Sequence, residues 1–178
     1  SYENLCRAGE IFAQLNDREE ELNILFLQGK FWFILGGIDQ LKKIIEQYEY
    51  YSLTLEGLSE KLRLNLDYLR LLIIFKESKG FEDKKAVMDL IEKAKIEGEN
   101  VLATEIIFLF IEDLTGKKKF SEAIELLNDI DLINYIQENI IFRAQREYLL
   151  GKIAYHTQYE NLKSPIEYFE HAYSLLED

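Results

Sequence analysis

The sequence predicts an all-α protein built as an α-solenoid, a right-handed superhelix of antiparallel helix hairpins, and three observations carry that prediction. An apolar triad spaced i, i+4, i+7 returns four times: Leu41/Ile45/Tyr48, Val87/Ile91/Ala94, Ala123/Leu127/Ile130 and Pro165/Phe169/Ala172. That spacing puts three side chains on one helix face. A return about every 40 residues is the signature of stacked two-helix units. Second, no stretch alternates apolar and polar residues with the period of a strand, and one proline with nine glycines is too little punctuation for an all-β chain. Third, Leu, Ile, Glu and Lys dominate, a composition that favours helix.

The elements follow from the periodicity and its stop signals. A first helix is expected over residues 2–15. Asp17 then offers an N-cap with Glu20 as its capping-box partner, opening a second helix that runs to Leu35 and stops at Gly36-Gly37. So short a connection returns the third helix, residues 38–50, antiparallel to the second. A long helix over 58–78 ends at Gly80, and its partner over 82–97 ends at Gly98. Asn100 caps the next helix, which reaches Leu114 before Thr115-Gly116, and residues 120–128 form its partner. Residues 132–157 read as one long helix. Ser164, Pro165 and Glu167 mark the last start, as N-cap, first helical position and capping-box acid. The count is about nine helices: four hairpins preceded by one leftover helix, in a single domain over residues 1–178.

Composition bounds the function. With 33 acidic against 21 basic residues and a net charge of −12, the chain lacks the clustered cations a phosphate backbone requires, so no nucleic-acid partner is expected. The runs Lys42-Lys43, Lys84-Lys85 and Lys117-Lys118-Lys119 are short and read as solvated helix ends. Cys6 is the only cysteine, which forbids an intrachain disulfide and points to a reducing, cytoplasmic setting. No signal peptide is visible and no uncharged run approaches the ~20 residues of a membrane span, so no membrane insertion is expected. Helix begins almost at Ser1, which suggests a segment of a longer repeat protein.

The hairpins resemble tetratricopeptide repeats. That family places a glycine in the first helix where a neighbouring helix packs closely, an aromatic three residues later, and small or apolar residues in the second helix. Gly29 with Trp32, followed by Leu41, Ile45 and Tyr48, fits this pattern. Gly151 with Ala154 and Tyr155, followed by Pro165, Phe169 and Ala172, fits it a second time. In the middle hairpins Phe75 and Ile111 stand at the glycine position. The resemblance covers residues 21–50 and 72–178, and the family's strict repeat length is absent.

No constellation of catalytic residues emerges. His156 and His171 lack a second His or a Cys at metal-ligand spacing, so no metal or other cofactor is expected. The carboxylate runs Glu19-Glu20-Glu21, Glu112-Asp113 and Glu177-Asp178 carry little catalytic information in so acidic a chain. Gly36-Gly37 lacks the Lys-Ser/Thr of a phosphate loop. The sequence therefore predicts a non-enzymatic module.

The resemblance implies a concave groove, lined by the first helices of successive hairpins, that holds a peptide or a partner helix. Carried over by spacing, the groove would present Asn23, Phe26 and Lys30, then Leu72, Lys76 and Lys79, then Phe108 and Glu112, and finally Gln145, Tyr148, Lys152 and Tyr155. Lys30, Lys76 and Lys152 fall at equivalent places and would suit an acidic peptide. Phe31-Trp32-Phe33 cannot all face one core, and exposed aromatics of this kind offer a contact patch for another chain, including a second copy. The expected function is a protein-interaction scaffold. The alternative is a sensor or regulatory segment of a larger signalling or transcription-regulating protein.

Overall fold

Ten helices and no strand occupy residues 1–55, 57–157 and 162–177, which the computed structural model of the chain describes, the side chains of Ile130 and Asp131 excepted. They are α1 (Tyr2–Leu15), α2 (Arg18–Ile34), α3 (Ile38–Ser52), α4 (Glu60–Glu77), α5 (Lys84–Ile96), α6 (Asn100–Gly116), α7 (Phe120–Leu127), α8 (Ile130–Ile136), α9 (Ile140–His156) and α10 (Pro165–Glu177). The all-α class holds.

Local chemistry sets most boundaries. Asp17 accepts from the Glu20 amide at 3.3 Å and opens α2 as expected. Gly36, at φ 74, adopts the left-handed turn that ends α2, and the Gly37 amide donates back to Trp32 O at 2.8 Å. Asp83 caps α5 through the Lys85 and Ala86 amides at 2.9 and 3.1 Å, so that helix starts two residues later than the periodicity suggests. At α10 the Ser164 amide donates to Glu167 Oε2 at 2.9 Å while the Glu167 amide donates to Ser164 Oγ at 3.3 Å, a complete capping box.

The expected single helix over 132–157 is broken, raising the count from nine to ten among the described residues. α8 ends at Ile136, and Asn139 starts α9 by accepting from the amides of Ile141 and Phe142 at 3.0 and 3.2 Å. An Asn side chain that satisfies two orphan amides makes a new helix start competitive with continuation.

The chain divides into two compact units, Ser1–Leu102 and Ala103–Asp178. In the first, α1 packs on α2, α2 on α3 and α4, and α4 on α5. Leu22, Leu41, Tyr48 and Leu69 are fully buried there, and the Tyr48 hydroxyl donates to Leu62 O at 2.8 Å. Burial holds the Tyr48 hydroxyl protonated far above the ordinary tyrosine range. Gly29 is the point of close approach: a Cβ there would lie 2.6 Å from Leu69 Cδ2 and 3.2 Å from Leu41 Cδ1. The aromatic run is distributed among neighbours. Phe31 and Trp32 pack against Tyr2 of α1, at 5.1 and 5.2 Å between ring centroids, while Phe33 meets Phe75 of α4 at 6.3 Å.

In the second unit Ile106, Phe108, Ile111, Leu127 and Leu149 are fully buried, and α7 and α8 both pack on α9. α9 and α10 form the most extensively paired hairpin, with the Gly151 backbone directly against the Phe169 ring. The triads mark these packing faces. Val87, Ile91 and Ala94 are buried, as are Leu41, Ile45, Tyr48, Ala123 and Leu127. The Ile130 side chain of the third triad lies outside the description. In the fourth triad Ala172 is buried but Phe169 remains 36% exposed.

Candidate functional site: an apolar cleft between α9 and α10

One face of the last hairpin is left open by its own packing. α9 contributes Ile141, Ala144, Gln145 and Tyr148 to a cleft of 500 Å³, and α10 contributes Phe169, Ala172, Tyr173 and Leu176. Both sets have the spacing i, i+3 or i+4, i+7, so two antiparallel helices each present a stripe toward the same trough. Ile141, Tyr173 and Leu176 are each more than 60% exposed, and Tyr148 is 47% exposed. Side chains of this size standing together in water mark a contact surface more often than scattered singly exposed residues do.

The cleft is shaped by an absence at Gly151. A Cβ there would lie 2.6 Å from Phe169 Cε1, so with the ring where it stands only glycine fits beneath it. Tyr148, one turn earlier, meets the same ring at 5.8 Å. Both rings line the trough.

Polar groups border the hairpin. Glu147 takes His171 Nδ1 at 3.0 Å and Arg146 Nη1 at 3.1 Å, tying α9 to α10. Arg146 also donates through Nε to Leu127 O at 3.0 Å and through Nη2 to Asn128 Oδ1 at 3.1 Å, anchoring the end of α7 to α9. At the start of α10, hydrogen bonds from Ser164 hold the Glu167 carboxyl below its ordinary pKa.

The groove residues named from sequence divide between the units. In the first unit Asn23, Phe26, Lys30, Leu72, Lys76 and Lys79 stand on α2, on α4 and just beyond it. Leu72 is only 1% exposed and packs the core. Phe26 is half-buried against Tyr68 at 6.0 Å. In the second unit Phe108 is fully buried against Phe142 at 5.8 Å, whereas Gln145, Tyr148, Lys152 and Tyr155 lie along the accessible side of α9. Glu112 of α6 stands 3.6 Å from Lys152.

The three lysines expected from the sequence at equivalent positions all rest on aromatic rings. Lys30 lies 5.4 Å from the Phe26 centroid, Lys76 4.8 Å from that of Phe33, and Lys152 5.5 Å from that of Tyr148. Their ammonium groups are thus already engaged within their own units.

Sequence reading found Gln145 and Tyr148 but missed Ile141, Tyr173 and Leu176, and assigned Phe169 wholly to packing. A signal was present: α10 carries Ile166, Phe169, Tyr173 and Leu176 in addition to its buried stripe of Tyr168, Ala172 and Leu175. A helix apolar on more than one side needs more than one apolar neighbour. Among the described residues no group of three His, Cys, Asp or Glu could hold a metal ion, and no helix is long and apolar enough to cross a membrane. No family model, curated protein or solved structure matches this chain.

Proposed function

We propose that this chain is a non-enzymatic helical-hairpin module that holds an amphipathic helix of a protein partner in the α9–α10 cleft. The observation that carries the reading is the open apolar trough itself, walled by Ile141 and Tyr148 on one side and by Phe169, Tyr173 and Leu176 on the other. A helix laid in such a trough buries its own i, i+3, i+4, i+7 stripe against two matching stripes. The net charge of −12 favours a partner whose flanking residues are basic.

The tetratricopeptide resemblance supports the same reading. Both glycines on which it rests, Gly29 and Gly151, lie where another side chain presses on the helix backbone. In that family such contacts stack hairpins into a right-handed superhelix, and this proposal includes that arrangement and a cytoplasmic location.

The test uses a synthetic 18-residue peptide with leucine at the four stripe positions and lysine on its flanks, against a scrambled control. The intact chain binds the periodic peptide and not the scrambled one in fluorescence anisotropy. A Tyr148→Glu/Leu176→Glu double variant with unchanged far-ultraviolet circular dichroism loses that binding. Retained affinity in the double variant removes the cleft as the site.

A second reading, a ligand-sensing segment of a larger protein, is favoured by a different feature, a buried carboxylate in the first unit.

A further inference from the structure

Within the first unit, α1, α2 and α3 surround a cavity of 270 Å³ whose walls are unlike those of the α9–α10 cleft. Gly9, Ile24 and Leu25 supply its apolar side. Glu21, from the first turn of α2, also lines it and is only 4% exposed. Arg18 engages Glu21 Oε2, but Glu21 Oε1 has no hydrogen-bond partner among the described residues. A buried carboxylate oxygen without a donor is a deficit that a ligand N–H can fill. The terminal torsion of a glutamate is soft, so turning an oxygen toward the cavity requires no backbone change.

Charge narrows the class of ligand. Glu10 is a second carboxylate on the wall, and no Lys, Arg or His is among the described lining residues. Arg18 pairs with Glu21, and its guanidinium already lies 4.9 Å over the Tyr51 ring. The lining thus offers an anion no cationic partner, while Glu10 itself is exposed and screened by solvent. A cation adds Coulomb attraction to a carboxylate that a neutral donor lacks. A space of 270 Å³ suits a small molecule.

We infer that this cavity binds a small organic ammonium ion, whose N–H donates to Glu21 and whose short apolar body lies against Ile24 and Leu25. Gly9 leaves the room: even a Cβ there would make its first contact at 3.5 Å, with Ile24 Cγ2. The inference is independent of the α9–α10 cleft, which belongs to the other unit.

Cys6 provides the readout. It is the chain's only cysteine, it lines this cavity, and Gln28 Nε2 lies 3.9 Å from its sulfur. With n-butylammonium as probe and ionic strength held constant, alkylation of Cys6 by iodoacetamide slows by the factor 1 + [L]/Kd, about tenfold at about ten times Kd. Butanol and butyrate at the same concentration leave the rate unchanged. Glu21→Gln, of nearly identical size, abolishes the protection. Gly9→Leu fills the cavity with Glu21 and Arg18 intact, and it abolishes the probe-induced shift of the Gln28 side-chain amide resonances. Absence of protection in the unaltered chain, equal protection by butanol, or protection surviving in folded Glu21→Gln overturns the inference. If Glu21→Gln does not fold, a Gln28 shift that persists in Gly9→Leu overturns it instead.

Discussion

Two glycines separate the intrinsic cost of glycine in a helix from its use as a point of close contact. Gly9 and Gly29 are both interior helical positions, where alanine is favoured by about 0.5–1 kcal/mol on backbone entropy. At Gly9 the added methyl finds ordinary contact distance, so Gly9→Ala stabilises by about that amount. At Gly29 it collides with the buried Leu69 side chain, and overpacking of about 1–3 kcal/mol outweighs the helical gain. Gly29→Ala therefore destabilises the chain by about 1–2 kcal/mol net. Urea unfolding of the two variants should move the midpoint in opposite directions, and a stabilised Gly29→Ala would remove the close contact from the account. The same scale explains why Glu21 escaped the sequence reading. It is the last of three consecutive glutamates, and only the packing of neighbouring elements decides which member of such a run is buried.

At the scale of the element, the capping box of α10 makes a statement about pH. Bonds from the Ser164 hydroxyl and amide favour the Glu167 carboxylate, so its folded pKa lies below the unfolded one. The stabilisation this confers is fully present above the ordinary glutamate range and is lost as pH falls through the depressed folded value. Carbon-detected NMR titration should find Glu167 below the exposed glutamates of the chain, and Ser164→Ala should return it toward them. An unmoved Glu167 in that variant would mean the box is not what holds the carboxylate. This start was legible because Ser, Pro and Glu occupy three positions with three distinct mechanisms. The start of α9 was not. Leu132, Ile136 and Ile140 keep helical spacing straight across the break, so periodicity overrides the cap signal of Asn139 unless the cap is weighed separately. The cleft was half legible for a related reason. Tyr148 and Gln145 were found by their spacing on α9, but Phe169 sits in a packing triad and serves both faces.

For the whole molecule, charge is the property that no single residue carries. A surplus of acid giving −12 opposes compaction through self-repulsion, which added salt screens within a Debye length. The opposing effect is the loss of ion pairs such as Lys42–Glu77, Arg70–Glu49 and Arg63–Glu60, whose partners are all more than 40% exposed and contribute little each. The melting temperature should therefore rise between low and moderate sodium chloride in calorimetry, and a fall would show that the pairs outweigh the repulsion. The same surplus separates two kinds of recognition. A basic-flanked helix at the α9–α10 cleft should associate more slowly as salt is added. An ammonium ion held by a buried carboxylate feels that screening far less.

Gly151 has a consequence for how such a module could diversify. Because the Phe169 ring is at once the neighbour of Gly151 and a wall of the trough, one missing carbon acts as the gauge of the opening. Alanine at this position would force the ring to shift, and with it one side of the trough. A change of partner would then need neither a new loop nor a new fold, only a one-carbon adjustment beneath an aromatic shutter.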